Sequence, residues 1–387
     1  MRRLNPVFVD RPVTIFQTMT QLANAHGAVN LGQGFPDEDG PQEILDAAAR
    51  AVAAGPNQYA PVIGVPELRQ AVARANKRFY DLDVDWRAET IVIAGATEGL
   101  ASAFYAFLEP GDEAIVFAPA YDSYVPMIEA AGAAARVVPL SPPQWRIDAD
   151  ALARAVTPRT KLVVLNSPHN PTGHVVGRDE LEIVAEICRR HDLIAVCDEV
   201  YEHLVFDAAA HVPLMTLPGM RERTVRLGSA GKTFSLTGWR IGYVTGPERL
   251  ITGLMKAHQY LAYTCPSHLQ HAIAAGLDFG DDYYRGFVAS MQEKRERMRA
   301  GLTAAGFDVL DCEGTYFMLA DIGSVGYAGD DMAFCREIAE RAKVAAVPIS
   351  AFYPASAPGP ARYARFCFCK KAEVLDEAAR RLKAYFG

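Results

Sequence analysis

Short apolar runs alternate with longer amphipathic stretches through the middle of the chain. The runs are rich in β-branched residues and occupy 90–94, 113–117, 135–140, 161–165 and 193–197. Continuous runs of this kind, separated by helical patterns, are typical of parallel strands that are covered on both faces. The pattern therefore predicts an α/β region with a mainly parallel sheet.

The pattern changes near residue 281. A long charged helix candidate at 283–306 is followed by a short apolar run at 317–320, another helix candidate near 330–342 and a second run at 365–369. This arrangement predicts a smaller α+β domain with its own sheet. Residues 1–39 are short and broken by prolines, so we expect them to form an arm against that domain. The predicted domains are 1–39, 40–280 and 281–387.

Composition narrows the classes of protein. Half of the 387 residues are hydrophobic and 22% are charged, which favours large buried cores over disorder. The net charge of −7, without a basic run, argues against nucleic acid or an anionic membrane as a partner. Pro6, Asp10 and Pro12 interrupt any signal-peptide core. The seven scattered cysteines lack metal-site spacing and favour a reducing, cytoplasmic location.

The segment 227–243 carries the clearest chemical signal. Lys232 lies among small residues, three positions after Ser229 and eight before Arg240. An amine that acts as a nucleophile needs little steric cover and a nearby cation or phosphate. We interpret Lys232 as such an amine, and Ser229 and Arg240 as phosphate ligands. The alternative is a surface turn that happens to contain a lysine.

Three further motifs follow predicted strands. Residues 95–99 lie at a strand-to-helix junction, where a helix N-terminus can hold a phosphate or simply form a tight turn. Two prolines flank the region of Asn170, which either holds that side chain rigidly or initiates a plain turn. Asp198 ends a buried strand, where it would need a cationic partner or would serve as a helix N-cap. Tyr201 lies three residues further on.

Taken in order, these motifs resemble those of fold type I, class I aminotransferases that depend on pyridoxal phosphate. The resemblance extends from LGQGFPD at 31–37 to RFCFCKK at 365–371. It is strongest to the branch of methionine and kynurenine aminotransferases, especially the bacterial methionine-preferring members. The resemblance implies a large domain with a seven-stranded, mainly parallel sheet between helices, and a smaller α+β domain.

The resemblance also implies roles in catalysis. Lys232 would form the Schiff base (aldimine) with the cofactor and carry the proton between substrate and cofactor. Asp198 would keep the pyridine nitrogen protonated. Asn170 and Tyr201 would bond the ring oxygen, and Tyr121 would stack on the ring.

The resemblance places the remaining cofactor and substrate contacts in separate segments. The phosphate would be held by Ala96, Thr97, Ser229, Arg240 and, from the neighbouring subunit, Tyr59. This last contact implies a homodimer with shared active sites. The substrate carboxylate would meet Arg365, aided by the Gly34 backbone, although a salt-bridged strand residue is the alternative for Arg365. The side-chain pocket would be formed by Phe16, Tyr263 and Phe352, with Thr264 beside them.

An aromatic pocket favours methionine, aromatic and leucine-like donors, with a 2-oxo acid as the acceptor, in a ping-pong exchange. The same aromatic residues could instead belong to the core. Thr264 stands where kynurenine-acting relatives tend to have histidine, which argues against kynurenine as a donor. Two alternatives use the same site: a β-lyase acting on cysteine conjugates or cystathionine, and an N-succinyl-diaminopimelate aminotransferase. The second substrate carries a distal carboxylate, for which the sequence offers no identified cation.

Overall fold

The N-terminal segment is made of two helices and one short strand. The computed structural model describes residue 2 and residues 4–387, so Met1 and Arg3 of the predicted arm lie outside the described residues. The segment contains α1 (Pro6–Val9), α2 (Ile15–His26) and β1 (Val29–Asn30). Thr14 caps α2 by accepting a hydrogen bond from the Gln17 amide, and Gly27 ends it in the left-handed conformation.

The middle of the chain forms a large sheet covered by helices. Its strands are β2 (Thr90–Ile93), β3 (Glu113–Ala118), β4 (Ala134–Pro139), β5 (Thr160–Asn166), β6 (Ile194–Asp198), β7 (Thr224–Ser229) and β8 (Gly242–Thr245). Its helices are α3 (Gln42–Ala54), α4 (Pro66–Tyr80), α5 (Ala96–Phe107), α6 (Tyr124–Ala130), α7 (Ala149–Ala155), α8 (Arg178–His191), α9 (Ala230–Thr233), α10 (Glu248–Leu261) and α11 (Ser267–Leu277).

The strand order across the large sheet is β2-β8-β7-β6-β5-β3-β4. Only β8 runs against its neighbours, since it pairs antiparallel with both β2 and β7, while the other adjacent strands pair in parallel. The prediction of a mainly parallel, seven-stranded α/β sheet is therefore confirmed.

The sheet separates two hydrophobic cores. Because successive side chains of a strand point to opposite faces, Ile115 and Val163 pack with α7 and α8, whereas Val116 and Val164 pack with α5 and α10. Both faces are thus apolar, which explains why these strands appear in the sequence as unbroken apolar runs.

The C-terminal region forms a smaller sheet of its own. It contains α12 (Asp281–Ala304), β9 (Asp308–Val309), β10 (Phe317–Asp321), α13 (Asp331–Glu337), β11 (Val344–Ala345), β12 (Val347–Pro348), β13 (Tyr363–Cys367) and α14 (Ala372–Phe386). The order β12-β13-β10-β9 is antiparallel throughout. A π-helical stretch, Ile338–Ala342, extends α13 over the predicted range.

The N-terminal segment joins this region through a strand pair. β1 pairs in parallel with β11, so residues 29–30 lie beside residues 344–345. The predicted domain boundaries after residues 39 and 280 stay predictions. Of the helices in residues 2 and 4–387, none combines the length and the apolar character that crossing a bilayer requires.

Candidate active site

A cavity of about 180 Å³ lies where the carboxyl ends of β5, β6 and β7 meet. This edge is where open α/β sheets bind their ligands. The cavity is lined by Ala96, Thr97, Leu100, Tyr121, Tyr124, Asn166, Asn170, Asp198, Val200, Tyr201, Ser229, Lys232 and Arg240. Every cofactor residue predicted from the sequence is among them except Tyr59.

Lys232 is presented to the cavity by α9, a single helical turn that directly follows β7. Its ammonium nitrogen donates a hydrogen bond of 2.7 Å to the Tyr316 hydroxyl and a longer one of 3.4 Å to the Gly34 carbonyl. Burial lowers the pKa of Lys232 to about 8, although Asp198 and two nearby thiols oppose that shift. A lysine with this pKa supplies a useful fraction of neutral, nucleophilic amine.

Asp198 is a buried carboxylate at the end of β6. Burial raises the pKa of Asp198, and a 2.6 Å hydrogen bond donated by the Tyr124 hydroxyl opposes the rise. A carboxylate so far removed from water favours a cationic ligand opposite it. The sequence did not single out Tyr124, although it begins α6 three residues after the predicted Tyr121.

The loop after β5 is held by two asparagines. The Asn166 side chain donates a 2.8 Å hydrogen bond to the Asp198 carbonyl and accepts one of 2.8 Å from the Asn170 amide. These bonds fix Asn170, whose side-chain oxygen accepts a 2.8 Å hydrogen bond from Arg365. The sequence analysis gave Asn166 no role, although it directly follows the apolar run 161–165.

Besides Lys232, a second part of the cavity with positive charge lies at the start of α5. The first amides of a helix have no partner within it, and Ala96 and Thr97, the first two residues of α5, line the cavity. Gly95, with a φ of 80°, has no room for a side chain, because a Cβ there would lie 2.3 Å from an Arg240 nitrogen. The close approach of Arg240 to the helix N-terminus, with Ser229 in the same cavity, forms a good anion site.

Arg365 lies on β13 beside the cavity and is only 1% exposed. Its terminal nitrogens donate hydrogen bonds of 2.8 Å to Asn170 and 2.9 Å to the Gly32 carbonyl. Its Nε is buried and has no hydrogen-bond partner among the described residues. The ring centroids of Phe317, Phe352 and Phe16 lie 3.8, 5.1 and 5.2 Å from its guanidinium carbon.

The backbone near Arg365 offers two carbonyls. Gly32 supplies the carbonyl that bonds Arg365, while the Gly34 carbonyl accepts a 2.7 Å hydrogen bond from Tyr316. The predicted contact of the Gly34 backbone with the substrate carboxylate stays a prediction. Within residues 2 and 4–387, the hydrogen bonds of Arg365 go to the Asn170 side chain and the Gly32 carbonyl and not to a carboxylate, so the salt bridge considered as an alternative does not occur there. The buried, unpartnered Nε of Arg365 instead suits an anionic ligand.

Tyr59 and Tyr263 do not reach the cavity within one chain. Tyr59 is 80% exposed, and its ring packs edge-on against that of Tyr263 at 5.1 Å. Tyr260 is 85% exposed nearby in sequence, at the end of α10. Of the predicted pocket aromatics, Phe16 and Phe352 are therefore together, with rings 5.8 Å apart, and Tyr263 is elsewhere.

Comparison with known proteins identifies the family. Residues 26–382 match the family described as aminotransferase class I and II. A probable N-succinyldiaminopimelate aminotransferase of Mycobacterium tuberculosis is 47% identical over 378 residues, which cover 95% of each chain. The methionine aminotransferase of Escherichia coli K12 is 39% identical over 370 residues, covering 96% of this chain and 95% of that one. A solved structure of the M. tuberculosis N-succinyldiaminopimelate aminotransferase superimposes with a TM-score of 0.95 at 46% identity, over 99% of this chain and all of that one.

The fold and the cavity define an enzyme of the fold type I class that depends on pyridoxal phosphate. The chain belongs to the class I and II aminotransferase family, whose members move amino groups between amino acids and 2-oxo acids. The resemblance to the branch of methionine and kynurenine aminotransferases is confirmed. The expectation that methionine-preferring members are the most similar is not met, since the N-succinyldiaminopimelate aminotransferase has the higher identity, 47% against 39%.

The residues present fit this cofactor. The anion site of Arg240 and the α5 amides can hold a phosphate, and the desolvated Asp198 can face a protonated ring nitrogen. Lys232, with its lowered pKa, can react with an aldehyde. The cofactor and the substrate carboxylate would thus meet different cations, since Arg365 lies on the C-terminal sheet.

Proposed function

We propose that this enzyme transfers the amino group of methionine and of aromatic amino acids to a 2-oxo acid in a ping-pong exchange. The observation that carries the proposal is that aromatic rings surround the guanidinium of Arg365. The rings of Phe16 and Phe352 lie about equally far from its guanidinium and pack against each other. A substrate carboxylate held by Arg365 would bring an adjacent apolar side chain against these rings.

The proposed roles follow from the contacts of each side chain. When bound, pyridoxal phosphate supplies an electron sink, which accepts the electron pair that remains on the substrate Cα after the proton has been removed. Lys232, as the neutral amine, would take that proton from the substrate Cα and pass it to the C4′ atom of the cofactor. Asp198, with Tyr124 bonded to it, would keep the ring nitrogen protonated. Tyr201 and Asn170 would bond the ring oxygen, and Tyr121 would stack on the ring.

The side-chain preference rests on what faces Arg365. Donors with a second carboxylate need a second cation in a desolvated pocket. Among the described residues that line the cavity, the cations are Lys232 and Arg240, and both have proposed roles towards the cofactor. An apolar pocket accepts methionine, phenylalanine, tyrosine and leucine side chains with little discrimination, since one methylene contributes only about 1–3 kcal/mol.

N-succinyl-diaminopimelate is the second candidate donor. It is favoured by the 47% identity to a probable N-succinyldiaminopimelate aminotransferase over 95% of both chains. Its distal carboxylate would need a cation outside the lining described above. In a dimer, such a cation could come from the neighbouring subunit.

A panel of donors tests the two candidates directly. Each donor would be added alone to the holoenzyme, and the loss of the cofactor's absorbance band, followed by its return on adding a 2-oxo acid, would be recorded. We expect complete conversion with methionine and phenylalanine and slow conversion with glutamate. A kcat/KM for N-succinyl-diaminopimelate that exceeds that for methionine would overturn the proposed preference. Release of ammonia and pyruvate from a cysteine conjugate without an acceptor would favour the β-lyase.

Borohydride reduction of the holoenzyme tests the assignment of Lys232. We expect mass spectrometry to find the reduced cofactor fixed to the Lys232 peptide. Attachment to another lysine would contradict the assignment and the proposed roles with it.

We also propose a homodimer in which Tyr59 contributes to the neighbouring site. The exposed side chains of Tyr59, Tyr260 and Tyr263 support this, because exposed aromatic residues of this size are enriched at interfaces. Mixing Lys232→Ala chains with Tyr59→Ala chains tests it. In the hybrid, one site combines an intact Lys232 with an intact partner tyrosine, so activity should exceed that of either variant alone. A mixture no more active than its parts, under conditions that exchange subunits, would contradict shared sites.

The proposed location is the cytoplasm. All seven cysteines are free and buried, which is typical of a reducing compartment. Fractionation of the source cells with an antibody to this chain would check the location.

A further inference from the structure

Tyr316 connects the reactive lysine to the N-terminal segment. Its hydroxyl accepts a 2.7 Å hydrogen bond from Lys232 and donates one of 2.7 Å to the Gly34 carbonyl. The three residues come from α9, from the turn before β10 and from the segment after β1. No sequence motif pointed to Tyr316, because both partners are more than eighty positions away.

The direction of these bonds follows from counting hydrogens. A phenol has one hydrogen to donate, and the Tyr316 hydroxyl gives it to Gly34. Towards Lys232 it can therefore act only as an acceptor. A neutral amine that donates one N–H to Tyr316 keeps its lone pair free for another atom. The arrangement orients the amine without using the electrons that it needs for reaction.

The position of the Tyr316 hydroxyl is tightly fixed. The side chain is 1% exposed, and its ring packs edge-on against Tyr201 at 5.2 Å and Phe317 at 4.8 Å. Its carbonyl accepts a 2.9 Å hydrogen bond from the Phe368 amide. Gly34 can lie this close to Tyr316 and Phe317 because it lacks a side chain. A Cβ at Gly34 would lie 2.7 Å from the Phe317 ring. Neither partner of the hydrogen bond can move freely.

We propose that Tyr316 is a catalytic residue whose hydroxyl holds the free amine of Lys232 with its lone pair directed into the cavity. The inference rests on the proposed role of Lys232 as the reactive amine. Tyr316 thereby acts whenever Lys232 is not bonded to the cofactor, which includes cofactor capture and the proton transfers of each half-reaction. Tyr201 and Asp198 act towards the cofactor, so this role is separate from theirs.

The Tyr316 hydroxyl also affects how readily Lys232 loses its proton. An acceptor stabilises an ammonium group more than a neutral amine, so losing it makes the lysine easier to deprotonate. The other charged or titratable groups around Lys232 are Asp198, Cys367, Cys369, Arg240 and Tyr201, and Tyr316→Phe retains every one of them. Removal of the hydroxyl alone should thus shift the titration of Lys232 downwards.

The test uses the full chain freed of cofactor, with Tyr316→Phe, which keeps the ring and removes only the hydroxyl. An amine-acylating reagent would be applied from about pH 6 to about pH 10, and labelling of Lys232 would be quantified by mass spectrometry. We expect the midpoint of labelling to fall by about one pKa unit, since a hydrogen bond to a charged group contributes about that much. A midpoint unchanged within about 0.2 unit would overturn the inference.

Tyr385→Phe is the matched control. Tyr385 lies on α14, and this change removes its hydroxyl, which donates a 2.6 Å hydrogen bond to Glu337 at the end of α13. The labelling midpoint of Lys232 should stay at its original value in this variant. An equal shift in both variants would mean that the effect of Tyr316→Phe is general and not due to the contact with Lys232.

A half-reaction supplies the second readout. With methionine, Tyr316→Phe should lower the maximal rate of cofactor conversion about tenfold and leave the concentration for half-maximal rate unchanged. A rise in that concentration alone would point to substrate binding and overturn the role assigned here. The borohydride experiment keeps the two proposals apart. If Lys232 carries the cofactor but its labelling midpoint is unchanged by Tyr316→Phe, the inference fails while the proposed function stands.

Discussion

Burial affects the lysine and the arginine beside the cavity in different ways. It lowers the pKa of Lys232 to about 8, which leaves part of that amine neutral near neutral pH. It also lowers the pKa of Arg365, but a guanidinium starts so high that it stays charged. The two residue types therefore divide the chemistry. Lysine serves where a neutral amine is needed, and arginine serves where a permanent cation must bind a carboxylate.

Replacing Arg365 with lysine should weaken substrate binding specifically. Lysine keeps the charge but cannot bond Asn170, Gly32 and a carboxylate together as the planar guanidinium can. We expect the KM for methionine to rise about tenfold to hundredfold, with little change in cofactor affinity. Steady-state kinetics and a cofactor titration would check both. A matched loss of cofactor affinity would contradict the assignment of Arg365 to the substrate.

The sequence located the residues that follow strands but not those that depend on long-range contacts. Asp198 could be found because it directly follows the apolar run 193–197, and Lys232 because it lies among small residues between Ser229 and Arg240. Gly32 and Tyr316 could not, because their partners lie hundreds or tens of residues away, and nothing local distinguishes them. Tyr124 lies between these cases, since the nearby Tyr121 was predicted but the bond of Tyr124 to Asp198 was not.

At the scale of elements, β6 and β7 are joined by a buried ionic cluster behind the cavity. Arg226 on β7 donates hydrogen bonds of 2.7 Å to Glu199 and 2.5 Å to Glu202, both just after β6, and one of 2.6 Å to Asn76. Burial raises the pKa of Glu202, but Arg226 and neighbouring histidines lower it to about 2. Glu199 directly follows Asp198, so this cluster supports the backbone that presents the active-site carboxylate.

Arg226→Met should destabilise the fold strongly. It leaves two buried carboxylates without their cation, and breaking such a group costs about 3–5 kcal/mol. Denaturation in urea at neutral pH would measure the loss. Arg226→Met combined with Glu199→Gln and Glu202→Gln is the control, and we expect it to recover much of the stability. Equal loss in both variants would show that packing, not charge, is responsible.

The stability that this cluster contributes at low pH provides a further check. Since the folded pKa of Glu202 lies near 2, below its ordinary value of 4.5, its contribution is present above that value. It is lost as the pH falls from about 4.5 through about 2. Glu202→Gln should therefore flatten this part of the stability profile.

The strands were predicted to different degrees for physical reasons. β3, β5 and β6 lie at the centre of the sheet, and their burial on both faces forces an apolar run. β8 has four residues, begins with Gly242 and runs opposite to its neighbours. Strand direction depends on the connections in space, so the pattern of residues along β8 could not show it.

At the scale of the whole molecule, His174 connects the large sheet region to the C-terminal region. Its ring nitrogens lie 2.9 Å from Glu180 on α8 and 3.1 Å from Glu313, before β10. Burial lowers the pKa of His174, but Glu180 and Glu313 outweigh it, so the pKa is raised overall. The Glu313 amide also bonds the Gly173 carbonyl at 2.9 Å, so the histidine contact reinforces a backbone contact.

His174→Gln should remove a pH-dependent part of the stability. Because the folded pKa is raised, the contribution is fully present below the unfolded value of about 6.5 and is lost as the pH rises through the folded pKa. We expect the original chain to lose about 1 kcal/mol more than the variant between about pH 6 and about pH 8. Urea denaturation at both pH values would measure this. Parallel losses would contradict a role for His174 in joining the two regions.

The pairing of β1 with β11 has a consequence for how the protein matures during translation. The residues that line the cavity span 96–240 and leave the ribosome before Tyr316 and Arg365 have been made. Residues 32–34 are made first of all, yet they reach their places only when β11 exists to receive β1. The Tyr316 contact to Lys232 and the Arg365 contacts to Asn170 and Gly32 therefore arise only once the C-terminal region has been made. The complete active site thus belongs to the finished chain and not to any shorter nascent one.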